Sequence, residues 1–108
     1  MNIINLTPHD VNIITDAGNI TIPASGQVAR CSTTRQVVDV VDINGVKVQI
    51  NKTIFGDVDG LPNPVPDTLY IVSTLVAQAC QRHDLVIPDD SIRDDQGRII
   101  GCKALARV

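Results

Sequence analysis

Apolar and polar residues alternate along most of the chain, and glycine, proline, asparagine and aspartate cut that alternation into short runs. A period of two puts successive side chains on opposite faces of a strand, so the pattern predicts a β-rich fold. Residues 3–6 form an apolar run stopped by Thr7-Pro8-His9-Asp10, after which Val11, Ile13 and Ile14 begin a second strand. Asp16-Ala17-Gly18-Asn19 supplies residues that tolerate positive φ, and Ile20 and Ile22 resume the alternation. This predicts a hairpin, closed by Pro23-Ala24-Ser25-Gly26.

Residues 28–32 read as another strand, with Arg30 and Ser32 on one face and Ala29 and Cys31 on the other. Two β-branched runs at 37–43 and 46–54 flank Asn44-Gly45. Asn-Gly between such runs predicts a hairpin, because a type I′ turn needs positive φ at both central residues. The segment 56–67 carries Pro62, Pro64 and Pro66 and reads as a long loop. Residues 69–72 form a buried strand candidate, and Ser73 is placed to cap a helix from Thr74 to about Arg82. A short strand at 85–87 is expected to end at Pro88-Asp89-Asp90, and a last hairpin turns at Asp95-Gln96-Gly97. The predicted class is α+β, mostly β: antiparallel sheet and hairpins with one substantial α-helix near residues 74–82, in a single domain over residues 1–108.

Composition sharpens this picture. All twelve acidic residues are Asp and none is Glu, which fits charges placed on turns and caps. Phe55 and Tyr70 are the only aromatics, so the core must come from fourteen Val, fourteen Ile and six Leu. Such a core is modest, and assembly into a homo-oligomer, a dimer or higher, would extend it. A formal charge of −3 argues against nucleic-acid polymers and acidic membranes as partners, and no run approaches the roughly twenty apolar residues of a membrane span. Cys31, Cys80 and Cys102 are odd in number and widely spaced, which fits neither a disulfide framework nor a zinc ligand set. A reducing, cytoplasmic location is the expectation.

No catalytic motif is visible. His9 follows a Thr-Pro turn and is read as satisfying a backbone group through its ring, and His83 as a cation at the helix C-terminus. Asp89-Asp90 and Asp94-Asp95 flank turns, where Asp bonds locally, and the alternating oxygens of a calcium loop are missing. The polar set that resists a structural account is Arg30, Ser32, Thr34 and Arg35, with Arg93 and Arg98 near the last hairpin. Arginines interleaved with hydroxyls suit a pyrophosphate or sugar phosphate. Asp-Arg pairing on a solvated sheet edge explains them equally well. A nucleotide base would also need a ring to stack on, for which Tyr70 is the candidate, with Phe55 as fallback. Ser73 opens a helix whose first N–H groups lie close to Tyr70 in sequence. The expected site is therefore Arg30, Ser32, Thr34, Arg35, Tyr70, Ser73, Arg93 and Arg98, with no cofactor, metal or catalytic residue.

Asn5-Leu6-Thr7-Pro8-His9, Ser32-Thr33-Thr34-Arg35, Gly60-Leu61-Pro62, Tyr70-Ile71-Val72-Ser73, Pro88-Asp89-Asp90, Arg93-Asp94 and Gly97-Arg98-Ile99-Ile100-Gly101 together resemble a family of small phage and prophage proteins, the group typified by Thoeris anti-defence protein 1. The likeness covers nearly the whole chain. It implies a non-enzymatic sponge that sequesters a cyclic ADP-ribose immune messenger in the host cytoplasm, with pockets between subunits and, in some members, separate sites for cyclic oligonucleotides. On that resemblance Arg30 or Arg35, with Arg98, would contact phosphates and Tyr70 would stack on a base. The alternative of another class is a virion or assembly component whose exposed β edges pair with copies of itself.

Overall fold

The computed structural model describes all residues, 1–108. In chain order the elements are β1 (Asn2–Asn5), β2 (Val11–Thr15), β3 (Gly18–Ile22), β4 (Arg30–Ile43), β5 (Val46–Asp59), β6 (Thr68–Ile71), α1 (Thr74–Ala79), β7 (Leu85–Arg93) and β8 (Ile99–Ala106). The protein is mostly β with antiparallel hairpins, as the alternation predicts, and its single helix is in the expected place but shorter than expected.

Six strands form one sheet in the order β1-β6-β7-β8-β2-β3, and β4 and β5 form a separate two-stranded sheet. The pairs β1/β6, β6/β7 and β2/β8 are parallel, whereas β2/β3 and β7/β8 are the antiparallel hairpins. Just past β3, Ala24 bridges back to Asn5, so the two edges of the six-stranded sheet meet and the sheet curls almost into a barrel. Period-two geometry then sorts the core. Ile71 and its register partner Val86 join Val11, Ile22 and Cys102 in one cluster, contributed by five strands. Tyr70 and its partner Leu85 join Leu6, Val72, Val76 and Ala77 in a second cluster, between the sheet and α1.

Several boundaries differ from the sequence reading. The strand expected at 28–32 starts at Arg30 and continues into the Asn-Gly hairpin, giving two arms of 14 residues each. Residues 56–59, expected in a loop, extend β5 because Arg30 and Cys31 pair with Asp59 and Val58. The remaining loop is 60–67. The helix stops at Ala79, short of Arg82, and is six residues long. β7 runs through Pro88, where the sequence predicted an end. Its pairing with β6 stops at Val86, so at Pro88 the missing N–H costs no ladder bond on that side. At the turn, Asn44 and Gly45 both have positive φ, at 52° and 86°, as a type I′ turn requires.

The hairpin arms, about 45 Å long at 3.3 Å per residue, project from the domain. The radius of gyration is accordingly 17.4 Å, against about 13 Å for a compact chain of this length. Only the hairpin root is anchored, where Cys31 and Val58 pack against the cluster under α1. No helix is long and apolar enough to cross a membrane.

Candidate functional site

Two grooves meet at Ser73. The first, about 450 Å³, lies where β1 and β6 end and the chain leaves the sheet, the place where open sheets with parallel strands offer loops and backbone groups to ligands. Thr7, His9, Asp10 and Asn12 line it from the β1–β2 side, Ser73 and Thr74 from α1, and Ser91 with Ile99 and Ile100 from the last hairpin. The second, about 480 Å³, is built by Arg30, Cys31, Ser32 and Asp59 at the hairpin root, facing Pro8, Ser73 and Leu75.

The loop between the grooves is held by Asn5, which is 1% exposed. Its Oδ1 accepts from the Thr7 backbone N–H at 2.9 Å and the Thr7 hydroxyl at 2.7 Å. Its Nδ2 donates to the carbonyls of His9 at 2.8 Å and Ile22 at 3.1 Å. One buried amide thus fixes the Thr7–His9 turn and ties it to the end of β3. Asp10 adds a second tie, its Oδ1 accepting from the Ala24 N–H at 2.9 Å. No buried side-chain nitrogen or oxygen lacks a partner.

The structure gathers three of the eight expected residues, Arg30, Ser32 and Ser73, in the second groove. Of the six arginines, Arg82, Arg93, Arg98 and Arg107 bond to protein oxygens, while Arg30 and Arg35 make no side-chain hydrogen bond or ion pair. Arg30 therefore brings an uncommitted guanidinium to the groove. The Ser32 side chain lies directly over Gly56, where any Cβ would collide with its Oγ. The Ser73 Oγ accepts from the Val76 N–H at 3.3 Å, which leaves its own O–H free to donate outward.

The other five fall elsewhere. Tyr70 is 2% exposed with its hydroxyl reaching toward the Asn63 carbonyl at 3.4 Å, so it is a core residue and offers no ring for stacking. Both faces of β6 are covered, one by the sheet interior and one by α1, which is why an aromatic there is buried. Thr34 and Arg35 lie on the hairpin arm, beyond the groove, opposite Ile54 and Thr53. Arg93 donates to the Gly97 carbonyl at 2.7 Å and Arg98 to Asp94 at 3.0 Å, and neither lines a groove. Asp94 is a turn residue. The Arg98 backbone N–H above all holds its carboxyl below the ordinary range; burial opposes this as the next largest effect, and the Gln96 N–H and the Arg98 side chain add to the lowering.

Both histidine readings change. It is the backbone carbonyl of His9 that is bonded, leaving its ring without a hydrogen bond on the first groove. His83 lies four residues past the end of α1, and its carbonyl accepts from Arg107. The three cysteines are unpaired, with Cys102 buried.

Sequence reasoning missed Asn5 as the positioning residue, and Thr7, Asp10, Asn12, Ser91 and Asp59 as groove residues. The available signal was that both apolar runs, 3–6 and 69–72, end directly on a hydroxyl residue. In a sheet with parallel strands those ends fall on one side. No protein-family model matches the chain, and comparison with curated proteins and with solved structures finds no match either.

Proposed function

We propose that this chain captures a small phosphate-bearing ligand of the nucleotide class and holds it without turning it over. The observation that carries the reading is Arg30, a guanidinium with no protein partner, set in a groove beside the Ser32 and Ser73 hydroxyls. A phosphate seated there takes charge-assisted bonds from the fork and neutral bonds from the hydroxyls. The adjoining groove, with the Asn12 amide, the Asp10 carboxylate and the apolar Ile99 and Ile100, suits a sugar and the face of a base. Sequestration of a cyclic ADP-ribose-type messenger by a phage protein is the specific form that the family resemblance adds.

Calorimetry with ADP-ribose, cyclic ADP-ribose isomers and cyclic dinucleotides tests this, followed by mass analysis of ligand released on heating. The expected result is saturable binding of at least one, recovered intact. Arg30→Ala is expected to weaken it about 10- to 150-fold, the loss of a hydrogen bond to a charged group at about 1.5–3 kcal/mol. Flat traces for every ligand overturn the proposal.

A second reading, a self-assembling structural component, is favoured by the projecting hairpin, whose outer edges carry no strand partner. Abundance in purified phage particles distinguishes it, since a sequestering protein is scarce there.

A further inference from the structure

The β4–β5 ladder determines which side chains share a face. Ile43 pairs with Val46, Val41 with Val48, Asp39 with Ile50, Gln36 with Lys52 and Thr34 with Ile54, and these rows all project from one side. That side is dominated by six apolar residues, Val41, Ile43, Val46, Val48, Ile50 and Ile54. Val46 is 62% exposed and Ile43 53%, and apart from each other the arms pack chiefly against α1. An isolated two-stranded hairpin is marginal in water, and an exposed apolar strip on the order of 400 Å² is as large as the largest patch on a typical monomer.

We propose that this face is closed by the same face of a second copy of this chain, packed across a two-fold axis with the hairpins antiparallel. Three observations select a second copy. The hairpin carries four basic residues (Arg30, Arg35, Lys47, Lys52) and four acidic ones (Asp39, Asp42, Asp57, Asp59), so two copies meet without net repulsion and an anionic bilayer finds no excess of positive charge. With its polar neighbours the face offers roughly 600 Å² per copy, and a pair buries about 1,200 Å², the lower bound for a specific interface. The charged residues of the face are also self-complementary. A two-fold axis between adjacent rows sets Asp39 and Ile50 over the partner's Gln36 and Lys52, bringing each Asp39 within reach of a Lys52 across the interface. The same register lays Val41 and Val48 over Thr34 and Ile54, and carries each Asn44-Gly45 tip toward the other's Ser32–Gly56 root.

Light scattering and sedimentation of the full chain, without ligand, test this. A dimer, or a multiple of dimers, is expected at high micromolar concentration. Val48→Asp is expected to raise the dissociation constant at least tenfold while the circular dichroism of the sheet is unchanged. Asp39→Lys and Lys52→Asp should each weaken association and, combined in one chain, restore it, a pattern that loss of folding does not produce. A wild-type chain that stays monomeric overturns the proposal, as does an oligomer indifferent to both Val48→Asp and the charge exchange. Binding of the monomer to lipid vesicles through this face would also overturn it, by giving the face a different occupant. None of these results depends on whether a nucleotide binds.

Discussion

Replacing Asn5 by Asp changes one atom group and should be among the most damaging single substitutions in the chain. The Oδ1 side of the network survives, because a carboxylate oxygen still accepts from the Thr7 N–H and hydroxyl. The Nδ2 side inverts. Two carbonyls, of His9 and Ile22, lose their donor and face a carboxylate oxygen in a site 1% exposed to solvent. Each buried polar group left without a partner costs about 1–3 kcal/mol, so Asn5→Asp is expected to remove about 3 kcal/mol or more at neutral pH. A domain of this size has on the order of 5–15 kcal/mol in total. The loss is also expected to depend on pH. Burial and the facing carbonyls raise the pKa of the introduced carboxyl above its unfolded value. The protonated form can return one donor, so the variant is less destabilised below the unfolded pKa and loses that advantage as pH rises through the folded one. Urea unfolding of wild type, Asn5→Asp and Asn5→Ala at pH 7 and near pH 4 measures this. The Asp variant should recover part of its deficit in acid relative to wild type, and the Ala variant should not. An Asp variant within half a kcal/mol of wild type at pH 7, or one whose deficit grows in acid, would refute the assignment of Asn5 as the donor holding this loop.

Arg82 donates through Nε and Nη2 to the two Asp84 oxygens, at 3.0 and 2.6 Å, and through Nη1 to the Pro62 carbonyl at 2.8 Å, pinning the 60–67 loop. Both side chains are about a fifth exposed, so Arg82→Leu should cost about 2 kcal/mol, or roughly 10 °C in Tm. The Arg82 hydrogen bond is the main reason the Asp84 carboxyl lies below its ordinary range, with burial opposing. A depressed folded pKa gives stability that is present above the unfolded value, about 4, and lost as pH falls through the folded one. The Arg82→Leu deficit should therefore shrink in acid, and a deficit independent of pH between 7 and 2 would count against the pair. Gly60 has φ +76° and a Cβ there would run into the Val28 carbonyl oxygen, so Gly60→Ala should destabilise by about 2 kcal/mol or more, whereas equal Tm values would show that the loop relaxes freely.

Local chemistry was readable and long-range pairing was not. Asn44-Gly45 and the Ser73 cap declare themselves because turn and cap geometry are set within four residues. The parallel partners give no such sign: Asn2 pairs with Thr68 across most of the chain, and no turn links them. Residues 56–59 look like loop because Gly and Asp are poor strand formers. They become strand because the Ser32 side chain occupies the space above Gly56 and the Arg30 arm supplies a ladder. The candidate site divides the same way. Arg30 and Ser32 were found as a pattern on one strand, while Arg98 was misplaced because Asp94, four residues away, satisfies it locally.

The hairpin connects the two proposals physically. Its first and last residues, Arg30 and Asp59, are register partners that line the second groove, and its next pair, Cys31 and Val58, is anchored in the core under α1. Any change in the direction of the arms must pivot about that anchored pair, and so must shift Ser32, the first residue beyond it, relative to Arg30 and to Ser73, which is fixed as the α1 cap. Packing two copies face to face fixes the direction of both pairs of arms and places one copy's tip near the other's root. Self-association and ligand capture then act on one element, and the coupling is reciprocal: a ligand that prefers the groove as set in the dimer tightens the dimer by the same factor that dimerisation tightens the ligand.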